Sequence, residues 1–397
     1  MFRSLRYPNF RLLIAGQLAT SSAQWMEQVA RGWLVYEMTG SPLLLGAVQA
    51  TRAFPLLIFG LLGGVLADRL DRKRQMVLAQ NANAVLNLIL AALVISGRVE
   101  AWHVFVTAAL AGSVMAFQQP ARQSMIPDLV ERGDLMNAVA LNSGVLNTMR
   151  TLGPTLAGVI VAVVGVGGCY VFQAALFVFA SIWTVQINAP DRRVRQRTTM
   201  WGSFTEGVTY VRTNTTVLAL LALALIPIVL AQPYSALVPV FARDIFDIGA
   251  IGQGVLLAAP GFGAVIGAFW VARLNESSNA ASMMLLAGVV MFGGGLVAFA
   301  LSPWLPLALV ALLVVGVAST SYRAVNQTLL QTHTEDEYRG RVMSMYLLDR
   351  GMAPLGALLA GTLAAGYGAR DAVAVLGILT AAFAVAIAVR VPRLRNL

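Results

Sequence analysis

Charge, cysteine and histidine are all scarce in this chain. Only 12% of its 397 residues are charged, about half the usual share for a soluble domain. A soluble fold of this size would lack the polar surface that keeps it in water, and lipid is the natural solvent for the excess. The one cysteine, Cys169, permits no intrachain disulfide and no cysteine-built metal site. Two histidines, His103 and His333, exclude a histidine cluster. No Gly-x-x-x-x-Gly-Lys-Ser/Thr stretch occurs, which argues against an ATP-driven pump built from this chain alone. Clustered acid–base or metal groups, which a membrane enzyme needs, are missing as well. No cofactor is implied.

What the chain has in abundance is apolar residues, at 58%. A helix crossing the hydrocarbon takes about 20 of them in succession. That ruler yields an all-α membrane protein with twelve spans, near 10–36, 42–66, 76–97, 101–121, 136–164, 168–188, 216–241, 249–272, 280–301, 304–327, 342–366 and 371–390. The net charge of +10 invites a nucleic-acid reading. The basic residues sit in short clusters between apolar runs, not along one face, so no nucleic-acid partner is expected. About 20 of the 28 basic residues fall on one side of the spans and about 3 on the other, the asymmetry of a cytoplasmic face. Both termini are therefore placed inside, in an inner (cytoplasmic) membrane, with lipids as partners.

The longest inside connection, 189–215, carries Arg192, Arg193, Arg195 and Arg197 and divides the spans six and six. The expected parts are a first bundle over 1–188, a cytoplasmic linker over 189–215 and a second bundle over 216–397. A weak internal repeat supports two halves. Thr151-Leu-Gly-Pro154-Thr-Leu-Ala-Gly158 in span five faces Met352-Ala-Pro354-Leu-Gly-Ala-Leu-Leu-Ala-Gly361 in span eleven. Carriers built from repeated halves hold their solute near the midplane.

Polar residues inside the spans are expensive and should face protein or water. Gln24, Glu27, Gln28 and Arg31 recur at i, i+3, i+4 and i+7, one stripe on a helix. Gln49 and Arg52 share a face in span two, and Asn147 and Arg150 lead onto Pro154 in span five. Gln232 and Tyr234 lie among Pro227, Pro233 and Pro239 in span seven; Arg323 and Asn326 belong to span ten. These are the candidates for a cavity lining. Only Glu27 and Asp349 are acidic among the deep groups, so they are the two candidates for carrying a proton. A static pair between Glu27 and Arg31 is the competing reading, and it would remove Glu27 from that role.

Two stretches carry a resemblance. Between spans two and three, Gly64-Val-Leu-Ala-Asp68-Arg69-Leu-Asp71-Arg72-Lys73 resembles the signature loop of the major facilitator superfamily, with Asp71 where the pattern usually has Gly. Gly144, Gly153, Pro154 and Gly158 resemble the helix-five motif of its antiporter branch, with Ala157 in a usual Gly place. Residues 2–11, 33–42 and 119–129 look like the branch that holds macrolide-efflux and enterobactin-export proteins. The resemblance spans essentially the whole length. It implies a monomeric, two-bundle secondary transporter that exports a small amphipathic solute, a drug, macrolide or siderophore-like molecule, in exchange for protons. A proton-independent facilitator is the alternative. In the superfamily, Asp68 and Arg122 would match a charge relay at the inside gate, to which Gly64, Arg69, Arg72 and Lys73 also belong.

Overall fold

The computed structural model describes residues 3–67, 71–188, 209–272, 278–347, 349–392 and 394. Every regular element among them is helical. In lipid no water meets an unpaired backbone group, so the apolar runs satisfy theirs within the helix. A short 3-10 turn, Arg3–Arg6, precedes α1 (Pro8–Thr39). Then come α2 (Pro42–Ala67), α3 (Arg72–Ile95), α4 (Ala101–Leu129) and α5 (Leu135–Val185). After the linker follow α6 (Thr215–Ile226), α7 (Tyr234–Val240), α8 (Gly249–Ala272), α9 (Ser278–Leu301) and α10 (Leu305–His333). The chain ends with α11 (Asp336–Leu347), α12 (Asp349–Tyr367) and α13 (Ala369–Arg390). Among the described residues, 8 helices are long and apolar enough to cross a membrane. The 32-residue α1 is not one of them, because its polar stripe dilutes the apolar run.

Local chemistry sets the boundaries. Pro8 opens α1, and Gly40 closes it in the left-handed region (φ 59°), its N–H donating to the Tyr36 carbonyl. The Asp71 carboxylate caps α3, accepting from the backbone N–H of Lys73 and Arg74. His103 Nδ1 accepts from the Glu100 N–H at 3.0 Å and so joins the cap of α4. At about 1.5 Å per residue α5 would run about 75 Å, over twice a hydrocarbon core. Gly165 breaks it (φ 75°, ψ 175°), between the fifth and sixth expected spans. The prolines expected to interrupt span seven leave it helical. Wide π turns at Pro227–Ala231 and Phe241–Ile245 absorb the missing donors, and Thr215–Ile245 reads as one membrane-length helix.

The chain divides into two compact units. Unit 1 comprises Met1–Leu44, Val48–Gln196 and Asp247–Ala258; unit 2 comprises Leu45–Ala47, Arg197–Phe246 and Ala259–Leu397. In unit 1 the first half of α8 lies on α5: a Cβ on Gly254 would stand 2.5 Å from the Pro154 carbonyl oxygen, and one on Gly158 2.6 Å from that of Ala250. Small residues let helix backbones approach this closely. At one end of unit 1, Phe10, Leu13, Met76, Met125 and Ile187 form an apolar cluster; deeper in, Ala23, Ala84 and Phe177 form another. In unit 2, Phe241 packs on Phe299 with ring centroids 4.4 Å apart, and Gly263 and Gly316 bring α8 and α10 into backbone contact. Leu78, Val163, Phe269 and Trp270 point outward, each at least 60% exposed, as lipid-facing side chains do.

Candidate functional site

The charged stripe of α1 folds into a three-membered cluster inside unit 1. Glu27 and Arg31 are one helical turn apart and both buried, at 2% and 5% exposure. Arg31 Nη2 donates to Glu27 Oε1. Arg52 arrives from α2, its Nη2 3.3 Å from Glu27 Oε2. Each oxygen of the carboxylate therefore holds one guanidinium. At the same residue α2 lies hard against α4: a Cβ added to Gly112 would stand 1.8 Å from the Arg52 carbonyl oxygen. Among the described residues Arg31 Nε and Nη1 are buried with no carboxylate partner, and the Tyr170 phenol of α5 lies beside Arg31. Gln24, Gln28 and Gln49 flank the cluster, half-buried. Asn147 and Arg150 lie on an exposed face of α5, the Arg150 guanidinium 5.9 Å from the Trp25 ring centre. A carboxylate shared by two arginines from two helices ties those helices together and fixes charge at a defined depth.

Unit 2 gathers a second, smaller polar group. Arg323 Nη2 donates to Gln232 Oε1 at 3.0 Å, and Arg323 Nε to the Tyr322 hydroxyl at 3.3 Å. Asn326 does not join it as a lining residue. It is fully buried and donates through Nδ2 to the Leu220 carbonyl, 3.0 Å away, so it links α10 to α6. Tyr234 is likewise buried, edge-on to Phe299 at 6.2 Å between centroids. The side chain of Asp349 lies outside the described residues.

Of the loop motif, Asp68 and Arg69 lie outside the described residues; Gly64 is within α2, though its surroundings also lie outside them. Arg72 donates to the Ser124 carbonyl at 2.9 Å and to Asp128 Oδ2 at 2.7 Å, and Lys73 Nζ to the Ile187 carbonyl at 2.8 Å. These two residues fasten the start of α3 to the ends of α4 and α5. The acid that caps the start of α3 is Asp71. Its φ of −60° needs no glycine, so Asp71 replaces the pattern's flexible turn with a cap. Arg122 is 3% exposed, and among the described residues its Nε and Nη2 have no hydrogen-bond partner.

The helix-five motif is only partly a packing face. Gly153 meets Trp25, where a Cβ would stand 2.6 Å from the Trp25 Cβ, and Gly158 meets Ala250. Gly144 has open space around it and packs on nothing within 4 Å. The small face of α8 at Gly263 and Gly267 meets Leu313 and Val317 of α10, while Gly254 is the residue that meets α5. Reading the sequence missed Gly112, Asp128 and Tyr170. Gly112 sits in a run of small residues, Ala111-Gly112-Ser113, that marks a possible crossing, whereas nothing local singles out Tyr170.

Comparison with known proteins gives the arrangement a context. A family model described as transmembrane secretion effector matches residues 1–397. The Staphyloferrin A transporter of Staphylococcus aureus is 24% identical, over 90% of this chain and 89% of its own length. The multidrug efflux pump Tap of Mycolicibacterium fortuitum is 29% identical, over 97% and 96%. A crystal structure of a bacterial homologue of the human lysosomal transporter Spinster, inward-facing and unoccupied, superposes with a TM-score of 0.74 at 14% identity. It covers 100% of this chain and 99% of that one, a likeness of fold.

Proposed function

The chain belongs to the transmembrane secretion effector family, within the major facilitator superfamily, and from that premise we propose that it exports a small amphipathic solute by alternating access, in exchange for protons. It is a membrane transporter and not an enzyme. In this reading twelve helices cross the inner membrane as two six-helix bundles, with both termini cytoplasmic, and the protein works as a monomer. The names of the relatives, a siderophore transporter and a multidrug pump, support a drug-, macrolide- or siderophore-like solute. The observation that carries the proposal is the charge buried within apolar helices: Glu27, Arg31 and Arg52 in one unit, Arg323 with Gln232 in the other. Such groups are costly in lipid and are held where a polar path is needed.

Alternating access needs groups that change partners. Glu27 already has an arginine on each oxygen, which suits the joining of α1 to α2. Proton exchange then falls to the second candidate, Asp349. The test is transport of neutral, cationic and anionic fluorescent amphiphiles in proteoliposomes under an imposed pH gradient. Asp349→Asn should abolish gradient-driven accumulation and keep solute exchange; Glu27→Gln should impair both. Wild-type accumulation in both variants would discard proton exchange through these carboxylates and favour the proton-independent facilitator.

A further inference from the structure

We propose that the Arg31–Arg52 pair is an anion receptor, and that the transported solute carries a carboxylate group that lodges there. The inference rests on the transport reading above and adds the chemical class of the solute.

The charges in the cluster do not balance. One carboxylate faces two guanidiniums, and among the described residues Glu27 is the one acid that pairs with either arginine. The excess is a single positive charge on side chains that are 6% and 18% exposed. A buried charge without a counter-ion is unfavourable, so the cluster attracts an anion and repels a cation. Its donors are also in surplus. Arg31 gives one of its three nitrogens to Glu27, and among the described residues the other two are buried with the Tyr170 hydroxyl, not a second carboxylate, beside them. The Tyr170 hydroxyl, fully buried, lies beside Arg31 and adds a polar group without charge to the cluster.

Geometry selects the kind of anion. Guanidinium is a planar fork that matches the two oxygens of a carboxylate, and arginine is more weakly hydrated than lysine, so it gives up water to such a partner more readily. Arg52 is the accessible member, and at 3.3 Å its contact with Glu27 is open to a competitor. A solute carboxylate meets Arg52 first and the donors of Arg31 as it settles.

The experiment uses the full chain in lipid nanodiscs, with benzoate as probe and benzamide and benzylamine as neutral and cationic controls of equal ring size. Binding is read as a concentration-dependent rise in Tm at fixed ionic strength. Benzoate should stabilise the wild type and the two controls should not. Arg52→Gln should weaken benzoate by at least about tenfold, with Arg52→Lys intermediate, since lysine keeps the charge without the fork. Glu27→Gln should tighten it, because the internal competitor is gone. Equal stabilisation by benzamide, or unchanged benzoate affinity in Arg52→Gln, would overturn the proposal. So would competition by chloride as strong as by a second carboxylate, which would make the site one for inorganic anions. If an arginine variant fails to fold, the three-probe comparison on the wild type still decides. Carboxylate binding in a protein that moves no solute would sink the transport reading and leave the receptor standing. Arginine-independent export of cations without benzoate binding would do the reverse.

Discussion

Gly112 is the position at which one methyl group should disturb the charged cluster from a distance. In Gly112→Ala the new Cβ would lie 1.8 Å from the Arg52 carbonyl oxygen and 2.9 Å from its carbonyl carbon, where ordinary contact begins at 3.4 Å. Both atoms are backbone, so no side-chain rotation relieves the clash. Helices α4 and α2 must part by about 1.5 Å, an overpacking that costs about 1–3 kcal/mol. Alanine returns about 0.5–1 kcal/mol through its better helix propensity. The strained atoms are Arg52's own backbone, so the displacement also shifts the root of the side chain that reaches Glu27, 3.3 Å away. Gly144→Ala is the matched control, a helical glycine with open space around it. It should be neutral or gain about 0.5 kcal/mol. Equilibrium unfolding in mild detergent, followed by tryptophan fluorescence, should separate the two variants by about 2 kcal/mol. In a double-mutant cycle Gly112→Ala and Arg52→Gln should be non-additive, because both act on the same contact. If Gly112→Ala is as stable as Gly144→Ala and adds fully to Arg52→Gln, then Gly112 does not position Arg52.

Two further expectations concern the backbone. Gly165→Ala should lower stability by about 1–3 kcal/mol, because φ 75° with ψ 175° is a region that essentially only glycine occupies; the check is a thermal melt beside Gly144→Ala. Asp71→Ala should cost about 1 kcal/mol by removing the cap of α3, while Asp71→Gly, which restores the residue usual in the motif, should cost only about a few tenths. Equal losses in the two Asp71 variants would show that the carboxylate's role there is not capping.

One contact of the candidate site was legible before any coordinates. The spacing of Glu27 and Arg31 puts them on one turn of one helix, and that pairing is present. Membership of the superfamily was likewise readable from the loop and helix-five stretches, and the family match covers residues 1–397. The readings that missed were those that depend on what a residue meets. Gly144 and Gly158 look alike in the motif, yet one faces open space and the other a backbone. Asn326 looks like a lining residue and is a buried tie to Leu220.

The chain's own order of residues determined its helicity, the lengths of its apolar runs and which polar groups share a helix face. The reason is local: a backbone in lipid must bond to itself, and a period of 3.6 residues decides which side chains share a face. Tertiary structure alone decided that Arg52 would join Glu27, that Asp128 would hold Arg72, and that α8 would begin against α5. Those partners are 25 to more than 90 residues apart in the chain. They meet only because glycines such as Gly112 and Gly254 allow particular backbones to touch, and such crossings are set by three-dimensional packing, not by any pattern along one helix.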